Sequence, residues 1–308
     1  MAVLEAPSHS NPPAIAPERS ALRILLATAG DPDSMGAVHL ASALAGDAGV
    51  EVMALGVATP FPHTLTPMFS VRQPVAIDEG SRLELLGRIQ RVLDRLAGAE
   101  RWAKRAVIGW PGDVINNAAE SWKATMIVLG LGRHRRLDRL FGTETAITVF
   151  KHARTPVLAV TSGARGLPRH ACAAIDFTKA SLSSGAVAAS VLAEDGKITL
   201  VHACAFKGVV SREGDLVDIY RTGARSKLQD AVATLRRHTR KQVDGVMIDG
   251  EPGDTILKYA SDEGCDLIAL GGHEQGLVDR ILLGSVRTRV VRAAKCSVLI
   301  TPPSDLPT

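Results

Sequence analysis

Residues 266–285 read Asp266-Leu-Ile-Ala-Leu-Gly-Gly-His-Glu-Gln-Gly-Leu-Val-Asp-Arg-Ile-Leu-Leu-Gly-Ser285. The apolar run Asp266–Leu270 predicts a short buried strand, and Gly271 allows the backbone to turn tightly after it. Gly284 and Ser285 then open a segment with helical periodicity. A continuous apolar strand followed by a helix is typical of a parallel sheet that helices cover on both faces.

This strand-to-helix pattern occurs twice in the chain. Met126-Ile-Val-Leu-Gly130 matches Leu267-Ile-Ala-Leu-Gly271 at a separation of 141 residues, and the Pro-Gly-Asp tripeptides that end at Asp113 and Asp254 keep that separation. Repetition at this length indicates two similar domains of about 140 residues each. Two further pairs keep the spacing to within one residue: Gly142-Thr143 with Gly284-Ser285, and Pro156–Val160 with Ser297–Thr301.

The repeat sets the predicted domain limits. We expect one domain over residues 21–160 and a second over residues 170–303, joined by the Gly- and Pro-bearing linker 161–169. Residues 1–20 are rich in Pro, Ser and Ala without periodicity, so we expect a disordered tail there. Residues 304–308 form a second, short tail.

Within each half, short apolar runs alternate with helical patterns. The sequence therefore predicts an α/β fold of two tandem, Rossmann-like domains, each with a five-stranded parallel sheet. We expect Asp254 to cap a helix that ends before Gly264. The predicted strands are Leu22–Ala27, Val50–Val57, Arg105–Ile108, Met126–Leu129, Pro156–Val160, Ala171–Ile175, Ile198–Ala203, Gln242–Ile248, Asp266–Leu270 and Ser297–Thr301. The predicted helices of the second half are Leu182–Leu192, Asp215–His238, Asp254–Glu263 and Ser285–Ala294.

Composition argues against several classes of function. Lys and Arg total 36 and Asp and Glu total 32, a net charge of +4 that is far from the dense basic face of a nucleic-acid-binding protein. Aromatic residues make up 4%, which argues against single-strand binding by base stacking. No apolar run approaches the ~20 residues of a membrane span, and the N-terminus has no signal-peptide pattern. We therefore expect a cytoplasmic protein that binds neither nucleic acid nor membranes.

The cysteines and histidines do not form a recognisable ligand set. Cys172, Cys204, Cys265 and Cys296 include no Cys-x2-Cys pair, so we expect four reduced thiols packed as small hydrophobic groups. His202 lies in an apolar strand, where we expect a core histidine with satisfied hydrogen bonds. No two histidines have ligand spacing on one helix face, so no protein-bound metal site is predicted.

The candidate binding residues follow the predicted strands. Ligands of parallel α/β sheets bind beyond the carboxyl ends of the strands. There the second half places Asp176-Phe177-Thr178 after its first strand and Gly271 after its fourth. The helix that begins at Gly284-Ser285 offers free N–H groups, a favourable dipole and a hydroxyl group to an anion. These groups together predict a cradle for a nucleotide.

Two common phosphate-binding motifs are not supported. Gly271 and Gly276 have the glycine spacing of a Walker A loop, but Leu277-Val278 replaces its Lys-Ser/Thr pair. Gly130-Leu-Gly132 lacks the third glycine of a dinucleotide fingerprint and follows a late strand. The sequence therefore favours neither a P-loop NTPase nor a Rossmann dehydrogenase.

Residues 22–303 resemble two tandem universal stress protein domains. The resemblance rests on the repeat, on Asp176 at the end of the first strand, and on the register Gly271-x2-Glu274-x9-Gly284-Ser285, which follows that family's Gly-x2-Gly-x9-Gly-Ser/Thr motif. In nucleotide-binding members this motif holds the ribose and phosphates of ATP. The resemblance implies that Asp176, Phe177, Thr178 and Ala203 lie at the adenosine, Gly271, His273 and Glu274 at the ribose and α-phosphate, and Gly284, Ser285 and the Val286 N–H at the phosphates.

Glu274 departs from the motif, because the family has a glycine there. A carboxylate ~4 Å from a phosphate oxygen would repel it by a few kcal/mol at an effective dielectric constant of about 20. A Mg²⁺ ion bound with the nucleotide would reverse that effect. Otherwise the Glu274 side chain points away from the site, or the ligand carries fewer phosphates.

The first domain departs further from the family pattern. Ala29 stands where the family has its strand-one Asp. The loop is one residue short between Gly130 and Gly132, although nine residues still separate Gly132 from Gly142-Thr143. We expect a degenerate site at these residues, next to the basic run Arg133–Arg139. That run is either a solvated loop face or a surface for an acidic partner.

Three functions stay open at this point. The second domain binds an adenine nucleotide, ATP first, as a stress or energy signal; or the chain is a nucleotide-free interaction module; or Glu274 serves as the base of a very slow ATPase. We assign no catalytic residue, because neither Asp176 nor Glu274 has an evident partner. The resemblance also implies that the last strands of the two domains pair within one chain, while a homodimer and the signalling partner stay unassigned.

Overall fold

The computed structural model describes residues 22–46, 49–59, 79–132, 143–205, 214–272 and 285–303. The two tails and the basic run Arg133–Arg139 lie outside these residues, as do most of the loop after the fourth strand of each half and the connection at residues 60–78. Every structural statement below refers to the described part of the chain.

The first half alternates strands and helices in the predicted order. Its strands are β1 (Arg23–Ala27), β2 (Glu51–Ala58), β3 (Ala103–Ile108), β4 (Met126–Leu131) and β5 (Val157–Thr161). Its α-helices are α1 (Met35–Leu44), α2 (Glu79–Leu93), α3 (Pro111–Ser121) and α4 (Thr143–His152).

The second half repeats that order. Its strands are β6 (His170–Ala174), β7 (Lys197–Cys204), β8 (Gln242–Asp249), β9 (Leu267–Gly271) and β10 (Ser297–Thr301). Its α-helices are α5 (Lys179–Val191), α6 (Gly214–His238), α7 (Pro252–Asp262) and α8 (Ser285–Ala293).

All ten strands join in one sheet, in the order β3-β2-β1-β4-β5-β10-β9-β6-β7-β8. Neighbouring strands run parallel except at the centre, where β5 and β10 pair antiparallel. The α/β class and the pairing of the two last strands are thus confirmed. The five strands of each half are not a separate sheet, because this central pairing makes them continuous.

The central pair relates the two halves by a local two-fold axis. Leu158 lies opposite Leu299, and these residues occupy equivalent places in the 141-residue repeat. Val157 lies opposite Ile300 and Ala159 opposite Val298, which is the exchange that a two-fold axis requires. The pairing gives each last strand a hydrogen-bonded neighbour and so removes two exposed sheet edges.

Aliphatic strands explain why the sheet is covered on both faces. Each residue from Ile24 to Ala27 and from Val298 to Ile300 is at most 3% exposed, which is the burial expected of strands between two helical layers. Helices α5 and α6 pack on one face of the second half, and α7 and α8 pack on the other. Helix α4 of the first half contacts α8 where the two halves meet.

Two helices begin earlier than the sequence predicts. Helix α5 starts at Lys179 rather than Leu182, because the Thr178 hydroxyl caps it by accepting a hydrogen bond from the Ser181 N–H. The prediction that Asp254 caps α7 is wrong: that helix starts at Pro252, and its N-cap is Glu251. Proline is favoured at the first helical position because its fixed φ suits the helix and it has no N–H to leave unpaired.

The other end of α7 is as predicted. Gly264 follows the helix with a left-handed φ of 62°, a conformation that glycine adopts without strain. Among the described residues, no helix is long and apolar enough to cross a membrane.

Candidate functional site

The topology of the second half creates a crevice beyond β6 and β9. Strand β7, which follows β6 in the chain, lies next to β6 on one side within the sheet, and β9 lies next to β6 on its other side. Such a reversal opens a gap at the carboxyl ends of the two strands. A cavity of about 300 Å³ lies at this point, at the lower end of the range for small-molecule sites. Its lining includes Ile175, Asp176, Ser181, Val201, His202, Ala203, Pro252, Ile256, Leu270, Gly271, Val286 and Arg287.

Four of the predicted site residues meet at this cavity. Asp176 follows β6, Ala203 lies near the end of β7, Gly271 ends β9, and Val286 is the second residue of α8. Neither Phe177 nor Thr178 is among the described residues that line it. His273, Glu274 and Gly284 lie outside the described residues, and Ser285 is described only as the first residue of α8.

A compact turn fixes the Asp176 carboxylate. Its Oδ1 accepts hydrogen bonds from the Thr178 N–H at 3.0 Å and from the Thr178 hydroxyl at 2.6 Å. The Asp176 N–H donates to Ser181 Oγ at 3.3 Å, and that hydroxyl donates to the Thr178 carbonyl at 3.0 Å. The exposed carboxylate is therefore held in one orientation at the mouth of the cavity.

Phe177 has an unusual backbone conformation within this turn. Its φ is 67°, a left-handed value that is a genuine outlier for a bulky residue. Its ring stacks on His202 with 4.5 Å between ring centroids. Phe177 also lines a neighbouring apolar cavity of about 430 Å³ between α5 and α6. Ile175 forms part of both cavity walls, so the two spaces lie next to each other.

His202 is a buried histidine with both ring nitrogens engaged, as the sequence predicts. Its Nδ1 lies 2.8 Å from the Ile175 carbonyl oxygen and its Nε2 lies 2.9 Å from the Tyr220 hydroxyl. Because a carbonyl only accepts, Nδ1 carries the proton and Nε2 accepts from Tyr220. Burial raises the pKa of the Tyr220 hydroxyl above its ordinary value. The sequence did not indicate that His202 also lines the cavity.

Gly271 has a packing role that is independent of any ligand. A Cβ atom there would lie 2.5 Å from the backbone carbon of Ala180 and from the backbone nitrogen of Ser181, at the start of α5. Gly130 has the same relation to the first half, where a Cβ would lie 2.9 Å from the Asp33 carbonyl oxygen. In each half, a glycine at or next to the end of the fourth strand therefore lets the start of that half's first helical segment approach the sheet closely.

Arg287 is a cavity residue that the sequence reasoning missed. It is the third residue of α8, and it lines the cavity together with Val286. A cation near a helix N-terminus is unfavourable toward the helix dipole, so its presence there is itself a signal for an anion. The sequence offered that signal two residues after Ser285.

The first half builds the equivalent turn with Ala29 in place of Asp176, and its Asp31 carboxylate caps the following helical turn by accepting a hydrogen bond from the Ser34 N–H at 2.9 Å. Ala29 is buried, and Gly30 takes the left-handed conformation, φ 65°, that Phe177 takes in the second half. The Thr28 hydroxyl donates to Ser34 Oγ at 2.9 Å within this turn. At the other end of the predicted site, the Thr143 hydroxyl donates to the Gly132 carbonyl oxygen at 3.3 Å, while Gly142 lies outside the described residues.

Metal ligation has no support in the part of the chain that the structure describes. Within it, no group of three or more His, Cys, Asp or Glu side chains is arranged to hold an ion.

The fold and the crevice define a tandem, Rossmann-like α/β protein with a ligand-sized cavity at its second switch point. The model of the universal stress protein family matches residues 21–161 and again residues 168–302. The chain therefore belongs to the universal stress protein family, and it carries two copies of the domain.

Individual relatives agree with this assignment. A universal stress protein of Methanocaldococcus jannaschii is 32% identical over 94 residues, which are 30% of this chain and 57% of that relative. The structure of a universal stress protein from Archaeoglobus fulgidus covers 93% of this chain and 98% of its own, with a TM-score of 0.61 and 17% identity, which shows a shared fold. A further member, solved in complex with cAMP, covers 45% of this chain and 99% of its own, with a TM-score of 0.38 and 21% identity.

Proposed function

We propose that the second domain binds an adenine nucleotide, ATP first, as a signal rather than as a fuel. The main observation in support of this proposal is that one acidic and one basic residue line the same cavity. Asp176 and Arg287 are both lining residues of the same cavity of about 300 Å³. A nucleotide has the matching polarity, with hydroxyl and amino donors at its nucleoside end and anionic phosphates at the other.

We expect the nucleoside end of the ligand to contact Asp176. Its carboxylate accepts hydrogen bonds from hydroxyl or amino groups, and the bonds from Thr178 keep it oriented before the ligand arrives. The apolar side chains of Ile175, Val201 and Leu270 line the same cavity. An aromatic base buries its faces against such a surface. The main chain at Ala203 is the remaining contact that the family resemblance implies.

We expect the phosphate end of the ligand to contact the N-terminus of α8. Gly284, Ser285 and the Val286 N–H provide main-chain donors and a hydroxyl group, and Arg287 adds a charge-assisted hydrogen bond. Gly271 and His273 would border the ribose or the α-phosphate. Mg²⁺ bound with the nucleotide would offset the negative charge of Glu274.

The first domain is not expected to bind adenosine in this way. Ala29 is only 3% exposed and has no carboxylate to offer. The hydroxyl groups of Thr28 and Ser34 bond to each other in that turn. This arrangement favours a single nucleotide per chain, and it leaves the first domain for another role, such as contact with a partner.

A loop variant tests the proposal directly. We expect the double variant Gly284→Val, Ser285→Ala to lose nucleotide binding without unfolding, because both changes fall in the part of the motif that holds the phosphates in nucleotide-binding members of the family. The assay is thermal melting with and without Mg-ATP, ADP, AMP and cAMP. A ligand at 100 times its Kd stabilises the native state by about 2.7 kcal/mol.

The matched control is Gly142→Val, Thr143→Ala in the first domain, which should leave the melting shift unchanged. A shift that survives in the second-domain variant would place the nucleotide elsewhere. No shift with any of the four nucleotides in the native chain would favour the nucleotide-free interaction module. Phosphate release that disappears in Glu274→Gln would favour the slow ATPase.

A further inference from the structure

The cavity between α5 and α6 has the size and the apolar wall of a second ligand site. Its volume is about 430 Å³, which lies within the range of small-molecule sites. Leu182 and Ala186 from α5, Leu200 from β7 and Leu235 from α6 are among its lining residues. Because these side chains offer hydrocarbon surface and no hydrogen-bonding partner, they favour an apolar group over water.

The same cavity extends along the C-terminal half of α6. Lys227, Thr234, Arg237 and His238 line it, and all four belong to that helix. From Lys227 to His238 the helix axis spans about 16 Å, at a rise of about 1.5 Å per residue. The space is therefore elongated, and basic side chains lie at both of its ends.

At one end, two basic side chains fold back onto Thr234. Arg237 Nη2 donates to Thr234 Oγ1 at 3.0 Å, and His238 Nδ1 donates to the Thr234 carbonyl oxygen at 2.9 Å. These hydrogen bonds hold both side chains against a residue of the cavity wall. Among the ion pairs of the described residues, none includes Arg237. Its guanidinium group therefore keeps N–H donors for an anionic group.

The other end is less favourable for an anion. Lys227 Nζ lies 5.9 Å from the centre of the Phe177 ring, which is within reach of a cation–π contact. Asp230 also lines the cavity, three residues after Lys227, so its negative charge offsets that of the lysine. Arg237 is farther from Asp230, about 10 Å along the helix axis. An anionic group of a ligand is therefore most favourable at Arg237.

We propose that this cavity binds a free amphipathic carboxylate, a fatty acid with one acyl chain. The acyl chain lies between α5 and α6 against Leu182, Ala186 and Leu200, and the carboxylate accepts hydrogen bonds from Arg237. Arginine matches the geometry of a carboxylate with two parallel N–H donors. A nucleotide, which is polar over most of its surface, is a poor match for this wall. The site is therefore distinct from the proposed nucleotide site, although Ile175 belongs to both walls.

The test is a calorimetric titration of the full chain with decanoate below its micelle concentration and without added nucleotide. We expect one saturable site per chain. Arg237→Ala should weaken binding about tenfold or more, because the charge-assisted hydrogen bonds to the carboxylate are lost. Arg240→Ala is the matched control, since Arg240 is exposed and is not among the described residues that line the cavity. We expect it to bind decanoate as the native chain does.

Two further measurements examine the apolar part of the site. Ala186→Leu should weaken decanoate binding, because the larger side chain fills space between α5 and α6, and a native melting curve establishes that this variant is folded. Decanol, which has the same chain without the charge, should bind at least tenfold more weakly than decanoate.

Four results would each overturn the proposal. These are the absence of saturable decanoate binding, native affinity in Arg237→Ala, equal affinities for decanoate and decanol, and native affinity in a folded Ala186→Leu variant. Binding to phosphatidylglycerol vesicles without binding to free decanoate would also overturn it, in favour of a membrane surface as the partner.

Discussion

Phe177 combines a left-handed backbone with a buried aromatic contact. The first half has Gly30 in the equivalent turn with nearly the same φ, 65° against 67°. The second half therefore accepts backbone strain of about 1–2 kcal/mol at a non-glycine residue. The stacking of the Phe177 ring on His202, whose own ring is fixed by Ile175 and Tyr220, stabilises this conformation.

We predict that Phe177→Gly is more stable than Phe177→Ala by about 1 kcal/mol, because only glycine relieves the left-handed strain. Both variants lose the aromatic ring, so the difference between their free energies of unfolding reports the backbone strain alone. Urea denaturation measures these free energies. Phe150, inside α4, is the control, since there alanine should be the better replacement by about 1 kcal/mol. An alanine variant as stable as the glycine variant at residue 177 would show that the backbone is not strained.

Arg287 is the residue whose replacement tests the phosphate end of the site. We expect Arg287→Ala to weaken nucleotide binding by about tenfold or more, because a hydrogen bond to a charged group contributes about 1.5–3 kcal/mol. Calorimetric titration measures the Kd. Arg289→Ala is the matched control. Arg289 lies on the same helix, but it pairs with Asp254 and lines a separate groove between α4, α7 and α8 instead of the cavity. Equal affinities of Arg287→Ala and the native chain would remove Arg287 from the site.

The sequence predicted Asp176 and Gly271 at the site because their positions follow directly from strand ends, and the family resemblance added Ala203. It could not predict the role of His202, whereas a cation so close to the start of α8 was a sequence signal for Arg287 that the reasoning missed. His202 comes to the cavity through strand pairing and through Tyr220, a residue 18 positions away on α6. Such contacts depend on how elements pack in three dimensions, and no local pattern encodes them.

At the scale of elements, the apolar runs predicted every strand to within two residues at each end. For the inner strands this follows because burial on both faces requires an unbroken aliphatic segment. The outermost strands β3 and β8 are exposed or half-buried along most of their length, and the start of β3 was missed by two residues. Helix starts were less accurate, since α5 begins where Thr178 caps it and α7 begins at Pro252. Capping is decided by one side chain, and Ser, Thr, Asp and Pro compete for that role within a few residues.

The close approach of α5 to β9 gives a prediction at this scale. Gly271→Ala should destabilise the protein by about 1–3 kcal/mol, because the added Cβ would overlap with the α5 backbone. Gly163→Ala is the control, since a Cβ there meets nothing within 4 Å. Chemical denaturation of both variants is the measurement. Equal denaturation midpoints of the Gly271→Ala and Gly163→Ala variants would mean that α5 shifts to accommodate the added methyl group at residue 271.

At the scale of the molecule, the β5–β10 pair turns two similar domains into one ten-stranded body. The family resemblance implied this pairing, and equivalent residues exchange places around Leu158 and Leu299, which gives the pair its symmetry. That symmetry does not extend to the sites, because Asp176 in one half corresponds to the buried Ala29 in the other. We therefore expect the nucleotide in the second half, because the first half has no carboxylate at the position equivalent to Asp176.

The most direct measurement is the identity and amount of nucleotide that the purified protein carries. The protein is denatured, the chain is removed, and the released small molecules are identified by chromatography and mass spectrometry. We predict about one adenine nucleotide per chain, and none from the Gly284→Val, Ser285→Ala variant. Two nucleotides per chain would contradict the assignment of a degenerate first site. No nucleotide, together with no melting shift in millimolar Mg-ATP, would contradict the binding function itself.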